Sequence, residues 1–332
     1  MRLKVFLLFV LLSVSVQGQD VIFSQGFLVP ETLNTSFTGA IRAPKLAVIH
    51  KSKWRNTAFK TTSNFVHFDN WIEGFRTGIG ISILNQVESG TRYTFNQVNL
   101  NYSISFQLNH TWFFRPSISV GYGMKNYGFQ NILLEDQINI TTNTVNTSSI
   151  DPVLLNAKRS FFDFSSSLLF NNDDSWLGIT VRHLNKPNIS LTQNGNSPLD
   201  IFWSVHSKYY LPLLENFSTW LASKSKLYVL ANFMKQADSN RFDIGFQYVF
   251  DNQFAIGVTA ATVPIKSNEY STLLNSVNSF MSLKWDKFRF GYSYDMNTTK
   301  LSNTGGVHEF SIGYDFSVNR RGTNRLRCVS YF

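Results

Sequence analysis

The sequence predicts an all-β protein, a transmembrane antiparallel β-barrel of about 14 strands with periplasmic N- and C-terminal segments. Three observations support this fold class. The 332 residues are 43% hydrophobic and 15% aromatic, yet only 15% are charged, whereas soluble domains have about 25% charged residues. Large apolar residues alternate with small or polar ones in many segments, with the period of two that is typical of strands. Polar turns and longer polar connections separate these segments.

Residues 1–18 have the layout of a cleaved export signal. A basic start over residues 1–4 precedes a 12-residue apolar region at 5–16, and small or modest residues at 16–18 provide a cleavage site. An uncleaved membrane anchor is the alternative, but a spanning helix needs about 20 apolar residues. The mature chain is therefore expected to begin at Gln19. No later stretch reaches 18 apolar residues, so membrane insertion after export must use strands.

Alternation divides the mature chain into strands. It is clearest at residues 98–109, where apolar and polar side chains alternate without a break. The predicted strands cover residues 45–51, 62–70, 76–86, 95–109, 111–123, 161–171, 175–184, 200–211, 224–235, 241–250, 253–262, 277–285, 288–296 and 306–316. Longer connections at roughly 126–160, 185–199 and 263–276 tend to alternate with short turns, as in a barrel with its long loops at one rim.

A soluble β-sandwich also has alternating strands and is the competing fold. It is disfavoured because the apolar faces consist almost wholly of Phe, Ile, Leu and Tyr, and because the strands are numerous. The barrel is expected to span residues 41–316. An even strand count places both chain ends in the periplasm. The segment 19–40 could fold into the barrel, cap it or pack under its rim, and a basic tail covers 317–332.

A series of short motifs runs in order along the mature chain. The motifs are Gln19-Asp20 with Phe23-Ser24-Gln25, Leu33-Asn34 with Gly39-Ala40, Gly78-Ile-Gly-Ile-Ser82-Ile-Leu-Asn85, His183-Leu184, Gly291-Tyr-Ser-Tyr-Asp295, His308-Glu309 with Gly313-Tyr-Asp-Phe316, and Arg327-Cys328. This ordered set resembles the PorP/SprF family of the type IX secretion machinery of Bacteroidetes. Thr35 and Val329 stand where that family has proline, so the chain resembles a divergent member.

The resemblance implies a non-enzymatic outer-membrane barrel that serves secretion, surface attachment or gliding motility. Some members of the family pair with a secreted adhesin whose C-terminal domain they help to display. The partners implied are therefore an adhesin-type protein with such a domain, other type IX secretion components, and outer-membrane lipid. The alternative function is a passive outer-membrane channel or a transporter of hydrophobic solutes. Nucleic acid is not an expected partner, because the chain is exported and lacks a basic stripe on a known binding fold.

The common catalytic and cofactor motifs do not occur in the sequence. The six histidines form no H-E-x-x-H motif, and no G-x-S-x-G, P-loop or G-x-G-x-x-G sequence is found. Asp173-Asp174 and Glu135-Asp136 are interpreted as solvated turn and loop residues, with calcium binding at Glu135-Asp136 as the alternative. A hydrolase would need Ser or Asn beside His183 or His206, which nothing in the sequence favours. We expect no catalytic residues, no cofactor and no metal.

Partner binding is expected at three places. The loop at 126–160 has more apolar residues than an exposed loop usually carries, unless it meets a partner or folds back into the barrel. Its candidate residues are Tyr127, Phe129, Ile132, Leu133, Leu134 and Ile138. Phe23 and Gln25 are candidates in the N-terminal segment. Arg320 and Arg321 lie in the basic tail, which is either solvated or in contact with an acidic periplasmic partner.

The inward faces of the strands are expected to carry small and mostly neutral side chains. Examples are Asn99, Ser103, Gly245 and Ser311. A porin that selects ions usually lines its constriction with rings of charged side chains, and the sequence shows no clustered ring. Small inward residues leave room for a plug or a bound segment.

The mature protein is expected to migrate in a heat-modifiable manner on denaturing gels. A closed barrel resists detergent until it is boiled because every strand is hydrogen-bonded on both sides. Electrophoresis of boiled and unboiled outer-membrane fractions measures this shift, and mass spectrometry gives the mature N-terminus. Recovery from the soluble periplasm, or retention of residues 1–18, would contradict the predicted architecture.

Overall fold

The computed structural model describes residues 20–128, 137–140, 142–146, 158–191, 195–214, 224–264, 274–299 and 304–316. The predicted signal at 1–18 and the tail at 317–332 lie outside these ranges. The main strands are β1 (Lys45–Lys53), β2 (Thr61–Ile72), β3 (Thr77–Glu88), β4 (Thr94–Ile104), β5 (Phe113–Asn126), β6 (Lys158–Asn171), β7 (Trp176–Arg182), β8 (Phe202–Leu211), β9 (Ser225–Gln236), β10 (Ser239–Phe250), β11 (Phe254–Thr262), β12 (Leu274–Trp285), β13 (Phe288–Asn297) and β14 (Val307–Asp315). No helix among the described residues is long and apolar enough to cross a membrane.

These strands form a closed antiparallel barrel of 14 strands. Each strand pairs with its neighbours in sequence, and β14 closes on β1 with Lys45 opposite Asp315 and Lys53 opposite Val307. All of the predicted strands are present in the predicted order, so the predicted fold class is confirmed. A sandwich would need two separate sheets, whereas this sheet has no free edge between its first and last strands.

Local backbone conformation accounts for where the strands differ from their predicted bounds. The connection between β9 and β10 is only two residues long, because Ala237 adopts a left-handed φ of 49° and Ser239 pairs with Gln236. The predicted fourth strand is interrupted after Ile104, and a short continuation at Phe106–Gln107 pairs with β5. These irregularities change the loop lengths and leave the order of the strands unaltered.

The two rims of the barrel differ. One rim, here called the turn rim, carries both ends of the sheet and turns such as 286–287, whereas the connections at 127–157 and 183–201 lie on the opposite, loop rim. Barrels of outer membranes have short turns on the periplasmic side and long loops outside, which assigns the loop rim to the exterior. Outward side chains are apolar, and Leu100 is 63% exposed. The barrel therefore presents an apolar wall to its surroundings.

The N-terminal segment lies inside the barrel. Residues 20–44, here called the plug, include two short 3-10 helices, Pro30–Thr32 and Thr35–Phe37, and most of their side chains are buried. The plug approaches β3 so closely that a Cβ atom on Gly78 would lie 2.1 Å from the Thr38 carbonyl oxygen. Gly39 has a φ of 70°, which glycine adopts without strain. Of the expected placements of this segment, the structure has the one inside the barrel. We expected a periplasmic segment, whereas its first described residue, Asp20, lies at the loop rim, next to Arg182 and His183.

Apolar packing holds the half of the plug that is nearer the turn rim. Phe37 packs edge-on against Trp176 with ring centroids 5.1 Å apart, and Phe27 stacks on the same ring at 5.9 Å. The plug residues of this cluster are Phe27, Leu28, Leu33, Phe37 and Ala40, and the barrel contributes Leu169, Trp176, Tyr228, Leu230, Val249, Ala255 and Phe280. Several inward residues of β6 to β12 are therefore large and apolar, because they contact the plug rather than water.

The two faces of β6 should respond differently to charge. Phe164 points outward and is 44% exposed, whereas the adjacent Ser165 faces the lumen. Phe164→Arg is expected to impair assembly, because an arginine on the lipid face costs about 2–4 kcal/mol near the midplane. Ser165→Arg lies at the same height and should insert normally. The heat-modifiable fraction of each variant measures this difference, and equal losses would contradict the assigned faces.

Candidate docking site: the plugged lumen and its loop rim

A buried carboxylate on β14 holds the polar arm of the plug, residues 20–25. Glu309 accepts hydrogen bonds from the backbone N–H groups of Ser24 and Gln25, at 2.9 and 3.0 Å. Lys51 Nζ lies 3.1 Å from the same carboxylate and compensates its charge. The Gln25 side chain donates to the Glu309 carbonyl oxygen at 2.8 Å. Gln25 and Glu309, which belong to two separate motifs of the sequence, are therefore partners in space.

A second group of charges binds the first described residue of the plug to the loop rim. Asp20 Oδ1 lies 2.8 Å from Nε2 of His183, and Nδ1 of the same ring lies 3.0 Å from Asp163 Oδ1. Arg182 Nη1 is 3.5 Å from Asp20 Oδ2, and the Asp20 N–H donates to Gln236 Oε1 at 2.9 Å. A histidine with a carboxylate at each ring nitrogen is suited to carry the positive charge. We call Asp20, Asp163, Arg182 and His183 the latch.

The ion pairs of the latch are stable over a defined range of pH. Burial by itself lowers the pKa of His183, but the charge of Asp20 and the Asp163 carboxylate raise it to about 9. Burial raises the pKa of Asp20, but His183 and Arg182 outweigh this and hold it below its ordinary value of 3.8. The stabilisation of the latch by protonated His183 is therefore complete below the ordinary pKa of 6.5, and it is lost as the pH rises through about 9. The contribution of Asp20 is complete above pH 3.8 and is lost on acidification through its lowered pKa.

His206 binds the middle of the plug. Its Nε2 lies 3.0 Å from Asn34 Nδ2, and that amide also donates to the Leu168 carbonyl oxygen at 2.9 Å. Its Nδ1 lies 3.3 Å from Ser204 Oγ, so a serine does stand beside this histidine. The ring is buried beneath the plug and against Trp176. The contacts of both His183 and His206 thus serve to position the plug.

Buried charges also hold the turn-rim end of the plug. Lys45, the first residue of β1, contacts Glu31 and lies 3.5 Å from Asp69 Oδ2, which is 2.9 Å from His67 Nε2. We expected mostly neutral inward faces, and this expectation is wrong in part, because Arg115, Lys208 and Asp243 are buried on the inner face in addition to these ionisable residues. The sequence does indicate these residues, because the alternating pattern places their ionisable side chains on the inward face of the strands. Across the described ranges, no group of three or more His, Cys, Asp or Glu side chains forms a candidate metal site.

A cavity of about 110 Å³ remains between the polar arm of the plug and the wall formed by β2 to β7. We call it the outer cavity, since its lining residues lie mainly in the loop-rim half of these strands. Its lining includes Tyr93, Phe95, Gln97, Lys125, Asp163 and Arg182. The latch residues therefore also form part of the cavity wall.

The structure separates the predicted partner-binding residues. Tyr127 packs on Tyr93 at the loop rim, with ring centroids 4.8 Å apart. Ile138 is 48% exposed on a small hairpin in which Ile138–Asn139 pairs with Thr144–Val145. Phe23 and Gln25 are buried in the lumen, where Phe23 packs on Phe65 at 5.8 Å. Phe129, Ile132, Leu133, Leu134, Arg320 and Arg321 lie outside the described residues, as do Glu135 and Asp136.

Asp20→Asn should loosen the polar arm and leave the apolar half of the plug in place. Hydrogen bonds to charged groups contribute about 1.5–3 kcal/mol, so amide exchange at 20–25 should accelerate about tenfold to a hundredfold. Hydrogen–deuterium exchange of the purified protein measures this. Residues 33–40 should keep their protection because the apolar cluster holds them.

Asp238→Asn, at an exposed turn of the same rim, is the matched control for this variant. In the parent protein, exchange at 20–25, corrected for its intrinsic pH dependence, should also increase between pH 6.5 and about 9.5, and His183→Gln should abolish that increase. Equal loosening of residues 33–40 would contradict the division of the plug into two halves.

The fold is similar to those of several solved outer-membrane proteins. The monoaromatic hydrocarbon channel CymD has a TM-score of 0.48 and 14% identity over 90% of this chain and 94% of its own. The toluene transporter TodX of P. putida has a TM-score of 0.48 and 8% identity over 86% and 93%. The outer membrane protein Omp33 of Acinetobacter baumannii has a TM-score of 0.45 and 6% identity over 84% and 100%.

Sequence comparison identifies the family. No curated relative matches the chain. The profile of the family described as type IX secretion system membrane protein PorP/SprF matches residues 15–314, nearly the whole length. With the closed barrel and its apolar wall, this match places the protein in the outer membrane. The chain belongs to the PorP/SprF family and is an outer-membrane barrel of the type IX secretion system.

Proposed function

We propose that this barrel docks a secreted surface protein at its loop rim and helps to display it, without catalysing a reaction. The partner is an adhesin-type protein with a type IX C-terminal domain, and the processes served are surface attachment and gliding motility. The observation that carries the proposal is the plug, which occupies the lumen through which a channel would conduct. When the interior of a barrel is occupied by its own chain, a partner protein can contact the barrel at its rims.

The packing of the plug favours docking over transport. Phe27, Leu33 and Phe37 are buried in one apolar cluster with the barrel wall, and burying each such side chain contributes about 1.5–3 kcal/mol. A transporter of hydrophobic solutes would have to disrupt this cluster to open a path. The outer cavity, at about 110 Å³, is also smaller than the cavity of about 150 Å³ that admits benzene in a protein interior.

Exposed apolar side chains support the loop rim as the docking surface. On the small loop hairpin, Ile140 is 86% exposed and Val145 is 52% exposed, in addition to Ile138. A two-stranded hairpin is only marginally stable by itself in water. Contact with a partner would both cover these side chains and stabilise the hairpin. Phe129, Ile132, Leu133 and Leu134 precede this hairpin in the sequence, and we propose them as further contacts for the partner.

The two rims are proposed to contact different partners. Other components of the type IX machinery and the outer-membrane lipid would surround the barrel. Arg320 and Arg321 follow β14, whose last residue is at the turn rim. We therefore propose the basic tail for contact with an acidic periplasmic component, since a cluster of like charges attracts a surface of the opposite sign.

Deletion of residues 131–149 should release the docked protein into the medium while the barrel remains inserted. Changes in the length of a surface loop cost little stability, because the closure entropy varies slowly with length. Quantitative mass spectrometry of membranes and medium measures the release, and the heat-modifiable band reports insertion. Replacing residues 265–270, between β11 and β12 in the sequence, with a Gly-Ser linker is the control.

Retention of the secreted protein by the truncated barrel would contradict docking at this loop. The intact protein should also be electrically silent in planar bilayers, since the plug occupies the lumen. Steady ion conductance by the intact protein would favour the channel alternative.

A further inference from the structure

One cation that lines the outer cavity differs from the others beside it. Lys125 is an inward residue near the loop-rim end of β5 and lines the outer cavity, with its Nζ 5.8 Å from the centroid of the Phe95 ring. Lys45, Lys51 and Arg182 each have a carboxylate partner. Among the described residues, no ion pair is formed by Lys125. Its charge is therefore available to a ligand in the cavity.

The other charges of the outer cavity are compensated within the protein. The Asp20 and Asp163 carboxylates face His183 and Arg182, and Glu31 contacts Lys45. Lys125 is the positive charge of this cavity that has no ion-pair partner among the described residues, although the charge of Asp20 also acts on it. A ligand with one negative charge would balance it, whereas a phosphate group, with about −1.5 to −2 charges at neutral pH, would not be balanced by this lysine alone.

The size and lining of the cavity further limit which ligands it could bind. Gln86, Gln97 and Asn99 provide amide groups, and Phe65 and Phe95 provide apolar ring surface. The volume of about 110 Å³ is smaller than the cavity of about 150 Å³ that admits benzene. The outer cavity accommodates a carboxylate with two or three carbon atoms, such as the tip of an acidic side chain or the end of a polypeptide.

We propose that the outer cavity is a carboxylate-binding site in which Lys125 forms the ion pair with the ligand. The carboxylate comes either from the docked protein, which rests on the docking function proposed above, or from a free short-chain acid. Binding from the loop rim would place the ligand next to the latch, since Asp163, Arg182 and His183 line the same cavity.

Propionate tests the site in the purified full-length protein, with propionamide as its neutral analogue. Lysines are reductively methylated with carbon-13, which preserves their charge, and the signals of Lys125 and Lys158 are assigned from Lys125→Met and Lys158→Met. Lys158 is the matched control, because it is exposed on the adjacent strand, opposite Asn126.

We expect the Lys125 signal to shift saturably with propionate. Lys125→Met should lower the propionate affinity at least tenfold, as measured by competition or calorimetry. An unmoved Lys125 signal, an equal response to propionamide, or an equal shift of Lys158 would overturn the site.

Retention of the secreted protein in cells distinguishes the two sources of the carboxylate. If the docked protein supplies it, Lys125→Met should release that protein at least severalfold more than Lys158→Met. If propionate shifts Lys125 but retention is unchanged in Lys125→Met, the ligand is a free acid. If propionate has no effect while the 131–149 deletion still releases the protein, docking stands and the carboxylate site is wrong.

Discussion

The packing of the plug inside the closed sheet is the interaction on which the rest of this structure depends. A barrel of about eight strands is just wide enough for inward side chains to fill, and this barrel has 14. Its inward side chains, including Leu169 and Leu230, are too far apart to fill the lumen by themselves. The plug fills this space with residues of the same chain. It directly precedes β1, whose first residue, Lys45, contacts Glu31 of the plug. Barrel closure and lumen filling are therefore parts of one folded unit.

The two halves of the plug are held by different dominant forces, and this difference bears on function, although the Lys45–Glu31 pair adds a charged contact at the turn-rim end. Phe37 and its neighbours are excluded from water, so their contribution depends little on salt or pH. Asp20 and Ser24 depend on charged or hydrogen-bonding partners on β7, β13 and β14, and such contacts respond to ionic strength and pH. The half near the loop rim is thus the part that a partner could rearrange, while the apolar half keeps the lumen filled.

The motifs that carry the family resemblance coincide with contacts between the plug and the barrel. Gly39 packs against Gly78, where added Cβ atoms would clash. Gln25 binds Glu309, and Asp20 binds His183. Each contact requires a specific side chain or the absence of one, unlike the outward face, where one large apolar residue can replace another. The apparently scattered motifs describe a single interface inside the barrel.

The sequence by itself determined the strands, their order and the outer-membrane class, because a membrane-spanning strand carries its signal locally, as alternation between an outward and an inward face. Only the tertiary structure placed residues 20–44 in the lumen, since that segment has no regular period and its conformation depends on the wall around it. The charge pairs of the site likewise could not be predicted from the sequence. Asp20 and His183 are 163 residues apart and Gln25 and Glu309 are 284 apart. Which inward charges meet is decided by the register of the closed sheet and the path of the plug through it, and neither is a local property of the chain.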